Sequence, residues 1–279
     1  MPTTLVHPGD PPLDVAGLKQ MAAQIRHDII YMTHAAQAGH PGGSLSATDV
    51  VTALYFRVMR IDPANPDWPN RDRFILSKGH ACPAWYSALA ERGYWGREHL
   101  NSLRQLGSIL QGHPVMQKTP GVDMSAGSLG QGMCAGLGMA LAGRLLKADY
   151  RVWVIIGDGE TQEGSIWEAA MAAAAHKLDN LTVIMDVNRI QNDDHVENVL
   201  PMGPIAPKWE AFGWHVTEID GHDMAQVVKA LETSREVAGQ PAMIVAHTVK
   251  GKGVSFMENN PVWHGTAPSD EQAEQAYTE

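Results

Sequence analysis

The middle of the chain carries the pattern that most constrains its fold. Arg151-Val-Trp-Val-Ile-Ile runs into the tight turn Gly157-Asp158-Gly159, an Ala-rich amphipathic segment follows, and a second apolar run, Leu181-Thr-Val-Ile-Met-Asp186-Val, delivers Asn188. Read as strand, turn, helix and strand, this is a βαβ unit, whose parallel strands put their carboxyl ends on one sheet edge. Asp158 and Asn188 then stand side by side as an anionic and a neutral oxygen donor. Hard oxygens of this kind suit Mg²⁺ or Ca²⁺, and Mg²⁺ usually takes one or two side chains plus phosphate oxygens. Gly159 lets the backbone approach those phosphates, and the next helix offers its N-terminal N–H groups. An isolated Gly-Asp-Gly is most simply a turn. The Asn at the end of the second strand is what turns the pattern into an expected metal–diphosphate site.

The rest of the chain repeats the alternation. Leu13 to Gln37 is expected as a helix, with Leu18, Met21, Ile25, Ile29 and Met32 at helical spacing. A Gly-Pro loop over Gly39-His40-Pro41-Gly42-Gly43 breaks it, and a helix restarts at Ser46. Arg73-Phe-Ile-Leu-Ser reads as a short buried strand, and helical segments follow to about Leu110. The Gly-rich run from Gly127 to Gly143 is a loop entering a small-residue helix. After the βαβ unit come a strand at 214–219, a helix from Met224 to Val237 and a strand at 242–247. Strands and helices alternating along the whole length predict an α/β, doubly wound, mostly parallel sheet with helices on both faces. The expected organisation is an arm over 1–13, one domain over 14–266 and a tail over 267–279.

Bulk properties narrow the function. A formal charge of −10 argues against nucleic acid as a partner, because phosphate backbones need basic surfaces. No apolar run is long enough to span a membrane. The two cysteines, Cys82 and Cys134, form no CxxC and are too few for a disulfide framework, so a reducing cytoplasm is expected. Gly127-Ser128-Leu129-Gly130-Gln131-Gly132 has its glycines as GxxGxG with no strand before it, which disfavours a dinucleotide site. Gly251-Lys252-Gly253 is no P-loop.

Of the 13 histidines, His40, His80, His113 and His222 directly follow Gly, and His264 precedes Gly265. A His on a Gly-rich loop has an open approach, and several converging imidazoles could shuttle protons for a polyhydroxylated substrate. Zinc ranks below this reading, since no HExxH or i,i+4 His pair occurs. His222 ranks last, because Asp220-Gly221-His222-Asp223 reads as a turn and helix cap.

These motifs together resemble the N-terminal, diphosphate-binding part of transketolases. The matching segments are Ala38-Gly-His40-Pro-Gly-Gly, Leu76-Ser-Lys-Gly-His80-Ala, Gly112-His113-Pro, Ser125-Ala-Gly127-Ser-Leu129-Gly-Gln-Gly, Gly157-Asp-Gly, Asp186-Val-Asn188 and Trp263-His264-Gly265. They occur in family order, and the Lys250-Gly-Lys-Gly-Val-Ser-Phe-Met-Glu ending is similar to the split, two-subunit type. The resemblance implies that Asp158, Asn188 and the Ile190 carbonyl bind Mg²⁺, with Ca²⁺ as a substitute. It implies that Gly159, His80 and His264 contact the diphosphate of thiamine diphosphate and that Gly127 and Leu129 line its rings. Ser128, Gly157 and Glu160 complete the expected cofactor contacts; Ser128 departs from the Pro of many full-length members. His40, His113 and His264 would face the sugar, and Glu163 would join a carboxylate network at a subunit interface.

The activity so implied is transfer of a two-carbon ketol unit from a ketose phosphate to an aldose phosphate. The carboxylic acid that activates the pyrimidine ring belongs, in that family, to a second domain, so a partner subunit carrying the pyrimidine-binding and C-terminal domains is expected, in an α₂β₂ assembly. The 1-deoxyxylulose-phosphate synthase and ketoacid dehydrogenase families share the Gly-Asp-Gly…Asn core, and a cofactor-binding subunit without chemistry is a further alternative. The array of His40, His80, His113 and His264 favours sugar transfer.

Overall fold

The computed structural model describes residues 11–279. The first ten residues of the expected arm lie outside the described residues; its end is pinned, with Leu13 N donating to Phe56 O at 3.1 Å. Helix α1 (Val15–Ala36) starts where the Asp14 side chain accepts from Gly17 N, and buries Leu18, Met21, Ile25, Ile29 and Met32. Helix α2 (Pro41–Ala53) begins five residues earlier than expected. Pro41 is preorganised for a first helical position, and the next glycines serve close packing: a Cβ on Gly42 would lie 2.7 Å from Trp263 O.

Strand β1 (Arg73–Leu76) leads into α3 (Cys82–Glu91). The helical run expected to Leu110 stops there. Gly93, at φ 87°, turns the chain out, and only a 3-10 segment at Arg97–Ser102 follows. Next come α4 (Gln131–Leu145), β2 (Val152–Gly157), α5 (Gly164–Ala175) and β3 (Leu181–Val187). Two helices absent from the sequence reading, α6 (Val196–Val199) and α7 (Ile205–Ala211), precede β4 (His215–Asp220), α8 (Met224–Ser234) and β5 (Ala242–His247). The stretch expected as a tail carries α9 (Asp270–Thr278), started by a Ser269–Gln272 capping box and docked on α1 through a Tyr277–His27 ring stack at 4.6 Å.

These five strands are all parallel, in the order β1-β2-β3-β5-β4. Every residue of β3 is buried, as a central parallel strand covered on both faces requires. Alternate residues divide between two cores: Trp153, Ile155 and Ile184 face α1, α2, α3 and α8, and Val154, Ile156, Val183 and Met185 face α4, α5 and α7. Small residues allow the close approach, since a Cβ on Gly136 of α4 would meet Val154 at 2.5 Å. Helices on both faces leave the carboxyl edge of the strands open. Among the described residues no helix is long and apolar enough to cross a membrane.

Candidate active site

Register places the two strand ends together. Gly157 pairs with Asp186, so Asp158 and Asn188 emerge just beyond neighbouring strands. The Asp158 carboxylate is 5% exposed and accepts from Gly159 N at 2.8 Å and Arg189 N at 2.6 Å. No ion pair reaches it among the described residues. Burial, then the charge of Asp186, pushes its carboxyl up to about 6. Asn188 Oδ1 accepts from Ile190 N at 3.1 Å, and the Ile190 carbonyl accepts from Lys250 Nζ at 2.9 Å.

Beneath this edge lies a finished network. Lys78 Nζ donates to Asp186 Oδ2 and to Gly43 O at 2.9 Å. Ser46 and Thr248 hydroxyls reach the same carboxylate at 2.6 and 2.5 Å, and Asn188 Nδ2 at 3.0 Å. Burial works to raise the Asp186 carboxyl, but the Lys78 charge and these hydrogen bonds hold it below the usual carboxylate range.

The histidines named from the sequence converge, although they come from four separate loops. His40 lies 5.3 Å from His80, 6.1 Å from His113 and 5.6 Å from His264 between ring centroids, and His80 stacks on His264 at 5.0 Å. Burial, then neighbouring positive and imidazole groups, pulls His40 down to about 4 and His264 to about 3, and it depresses His80 and His113 as well. All four are therefore neutral near pH 7. Lys250 Nζ lies 2.6 Å from His264 Nδ1, and burial followed by the Lys78 charge lowers its ammonium to about 7. His40 Nδ1 is buried with no hydrogen-bond partner among the described residues.

A cavity of about 260 Å³ joins two of these rings, His80 and His264, to the strand ends, lined also by Lys78, Leu129, Asp158, Asn188 and Lys250. It is smaller than the roughly 300–1,000 Å³ of a complete small-molecule site. His113 is exposed on the other side of His40, and Gly127 packs against its ring; a Cβ on Gly127 would lie 3.3 Å from His113 Cδ2. Ser128 is exposed and Leu129 half-buried. Glu160 lines the cavity, yet both its oxygens are spent within the chain, on Ser77 Oγ, Gly130 N at 2.8 Å and Gly157 N at 3.0 Å. It ties the Gly127–Gly130 loop to the strand ends through these three hydrogen bonds. Glu163 is exposed at the start of α5. Arg189 and the Glu218–His247 pair of β4 and β5 line a neighbouring cavity of about 370 Å³ that shares Asp158.

The donor set fits a cation bound with an anion. One buried carboxylate forms no ion pair among the described residues, two neutral oxygen donors (Asn188 and the Ile190 carbonyl) belong to the same cavity lining, and two buried lysines, Lys78 and Lys250, line it on the side of the histidines as donors for phosphate oxygens. Lys250 Nζ already donates to the Ile190 carbonyl. Lys78, Lys250, Asp186 and Ser46 were not singled out from sequence. The only cue was position, since Lys78 and Lys250 each precede a Gly in a strand-end loop.

Known proteins resemble the chain over nearly its whole length. Residues 18–279 match the family described as transketolase, thiamine diphosphate binding domain. The chain is 48% identical over 241 residues to the 6-deoxy-6-sulfo-D-fructose transketolase subunit SqwG of Clostridium sp. (strain MSTE9), covering 86% of this chain and 88% of that one. It is 42% identical to an apulose-4-phosphate transketolase subunit from Phocaeicola vulgatus, covering 96% and 95%. Against human transketolase it is 41% identical, over 94% of this chain but 42% of the human one. The transketolase structure from Campylobacter jejuni superposes with a TM-score of 0.91 at 34% identity, over 95% of this chain and 43% of that chain. A Pichia stipitis transketolase structure gives 0.90 at 32%, over 95% and 40%. The chain thus spans about two fifths of those full-length enzymes and nearly all of the subunits. Matched by the family over residues 18–279 and by relatives at 41–48% identity, the chain belongs to the transketolase N-terminal, thiamine diphosphate-binding domain family.

Proposed function

We propose that this chain is the diphosphate-binding subunit of a two-subunit transketolase that moves a two-carbon ketol unit between anionic sugars. The observation that carries the reading is the cluster of His40, His80, His113 and His264, two of which, His80 and His264, line one cavity with Asp158 and Asn188. In this reading Asp158, Asn188 and the Ile190 carbonyl hold Mg²⁺, and Ca²⁺ substitutes for it. Lys78, Lys250, His80, His264 and the Gly157 and Gly159 backbone bind the diphosphate, while Gly127, Ser128 and Leu129 line the rings. Bound thiamine diphosphate supplies the electron sink that lets a ketose carbon–carbon bond break.

The chain's own residues then orient and protonate. His113, at the exposed rim, binds the first hydroxyl of the donor. His40 and His264, neutral at working pH, take and return the proton of the hydroxyl next to the bond that breaks. Both rings are neutral and so able to accept a proton, and their depressed values make them weak bases that give it back readily. Glu163, exposed at the start of α5, faces the partner subunit.

Support for a partner comes from the relatives named as transketolase subunits, which this chain matches over most of their length. We propose a partner bearing the pyrimidine-binding and C-terminal domains, in an α₂β₂ assembly. The substrate is a ketose carrying a phosphate or sulfonate, as the names of those relatives suggest. Cys82 and Cys134 are unbridged, which suits a reducing cytoplasm. The test is to assay the chain with its candidate partner for thiamine diphosphate-dependent ketol transfer and to titrate the cofactor with Mg²⁺ by calorimetry. Asp158→Ala is expected to abolish Mg²⁺-dependent binding; unchanged affinity refutes the metal assignment, and full activity of the lone chain refutes the two-subunit reading.

A further inference from the structure

His222 is the Gly-flanked histidine that stands apart from the cluster, and its surroundings give it a different task. Helix α8 is capped by Asp223, which accepts from Ala225 N at 3.0 Å and Gln226 N at 3.3 Å, so the neighbouring imidazole is not needed as a cap. His222 Nε2 accepts the Val249 N–H at 2.8 Å. That fixes the proton on Nδ1, which donates to Asp49 Oδ2 at 2.8 Å. Asp49, on α2 and 5% exposed, also accepts from Arg26 Nη2 of α1 at 2.5 Å. Arg26 Nε donates in turn to Lys252 O at 3.1 Å.

The relay therefore holds the backbone on both sides of Lys250. Between those two grips, Lys250 is 1% exposed, and its stem passes α2 where Gly42 leaves room; a Cβ there would sit 3.1 Å from its Cγ and 3.3 Å from its Cε. Gly251 N donates to Gly42 O at 3.0 Å, a further lock on the same turn. A lysine side chain is flexible, with many rotamers. Inside this channel, however, the placement of its ammonium follows from the position of its Cα.

We propose that Arg26, Asp49 and His222 form a positioning relay that sets Lys250 over the diphosphate pocket and so determines cofactor affinity from outside the cavity. This rests on the reading of the site given above. The relay orients a binding group through a hydrogen-bonded histidine and carboxylate, as outer residues do around metal ligands.

The test is a double-mutant cycle on the full chain with its partner subunit, reading the dissociation constant of thiamine diphosphate at saturating Mg²⁺. His222→Ala is expected to weaken binding roughly tenfold or more, the range for loss of such orienting partners. In a Lys250→Met background the same substitution is expected to add nothing. His222→Gln, whose amide oxygen can accept from Val249 N and whose amide nitrogen can donate to Asp49, is expected to recover most of the affinity. Arg26→Met supplies a second cycle if His222→Ala does not fold. Wild-type affinity in His222→Ala, or losses that add in the double variants, overturns the relay alone. A wild-type assembly that shows no Mg²⁺-dependent cofactor binding overturns the site reading and the relay with it.

Discussion

Asp186, at the end of β3, and Asp158, one step past the end of β2, are buried to 2% and 5% exposure on neighbouring strands, with opposite surroundings. Asp186 receives a lysine, two hydroxyls and an amide, and its carboxyl is held low. Asp158 receives two backbone N–H groups and no cation, and its carboxyl is pushed up. A buried charge is tolerable when paired and costly when not. The first aspartate is completed by the fold. The second receives no ion-pair partner among the described residues, and that asymmetry is why we propose Asp158 as the cation's carboxylate.

The largest expected effect tests the finished partner. Lys78→Met strands the Asp186 charge and is expected to cost about 3–5 kcal/mol, the range for breaking a buried pair, read from urea unfolding midpoints. A loss below about 1 kcal/mol would break the comparison, because Asp186 would then not depend on its lysine.

Asp158 predicts the opposite sign. Its folded value of about 6 lies above its ordinary 3.8, so its contribution to metal-free stability is fully present below about 3.8 and is lost as pH rises through about 6. At 1.4 kcal/mol per unit, the loss is roughly 3 kcal/mol. The difference in stability between wild type and Asp158→Asn should trace that fall between those values, in unfolding curves taken without divalent cation. Adding Mg²⁺ with diphosphate should erase it in wild type only. A flat difference would mean that Asp158 is already compensated.

A smaller effect is expected at Glu160, a carboxylate spent inside the chain like Asp186. Glu160→Gln offers one acceptor where Gly130 N and Gly157 N now have two. One N–H is left unpaired, at a cost of about 1–3 kcal/mol. Faster amide exchange at Gly130 or Gly157 is the readout.

The smallest effect is an expected constancy. With His40 at about 4 and His264 at about 3, their ring proton resonances should not titrate between pH 5 and 8. Because both values are depressed, the stability tied to these rings is present above the ordinary 6.5 and is lost as pH falls toward 4. A midpoint near 6.5 for either ring would show that it is not enclosed with the lysines.

Much of this was readable in advance where a residue's role is local. The Gly157-Asp158-Gly159 turn, the second apolar run and the helical spacing of α1 each state their structure within a few residues. The helix start at Pro41 was not readable, because Gly42 and Gly43 look like loop residues until Trp263 is seen against them. The Ser269–Gln272 capping box was present in the sequence and marks α9. Lys78, Lys250 and Asp186 could not be recognised, because a lysine or aspartate at a strand end looks the same whether exposed or buried. The role of Glu160 was hidden for the same reason: its partners Ser77 and Gly130 lie 83 and 30 residues away along the chain.

The sequence by itself determined the parallel α/β alternation, the strand-end pair Asp158 and Asn188, and which histidines stand on Gly-rich loops, since periodicity and turn chemistry act over a few residues. Only the tertiary structure decided that two lysines enter the same cavity, that Glu160 is spent internally, and that His222 reaches back to α2 and forward to Val249. Those outcomes depend on burial and on hydrogen bonds across long separations, and both exist only once the sheet has brought its strand ends together.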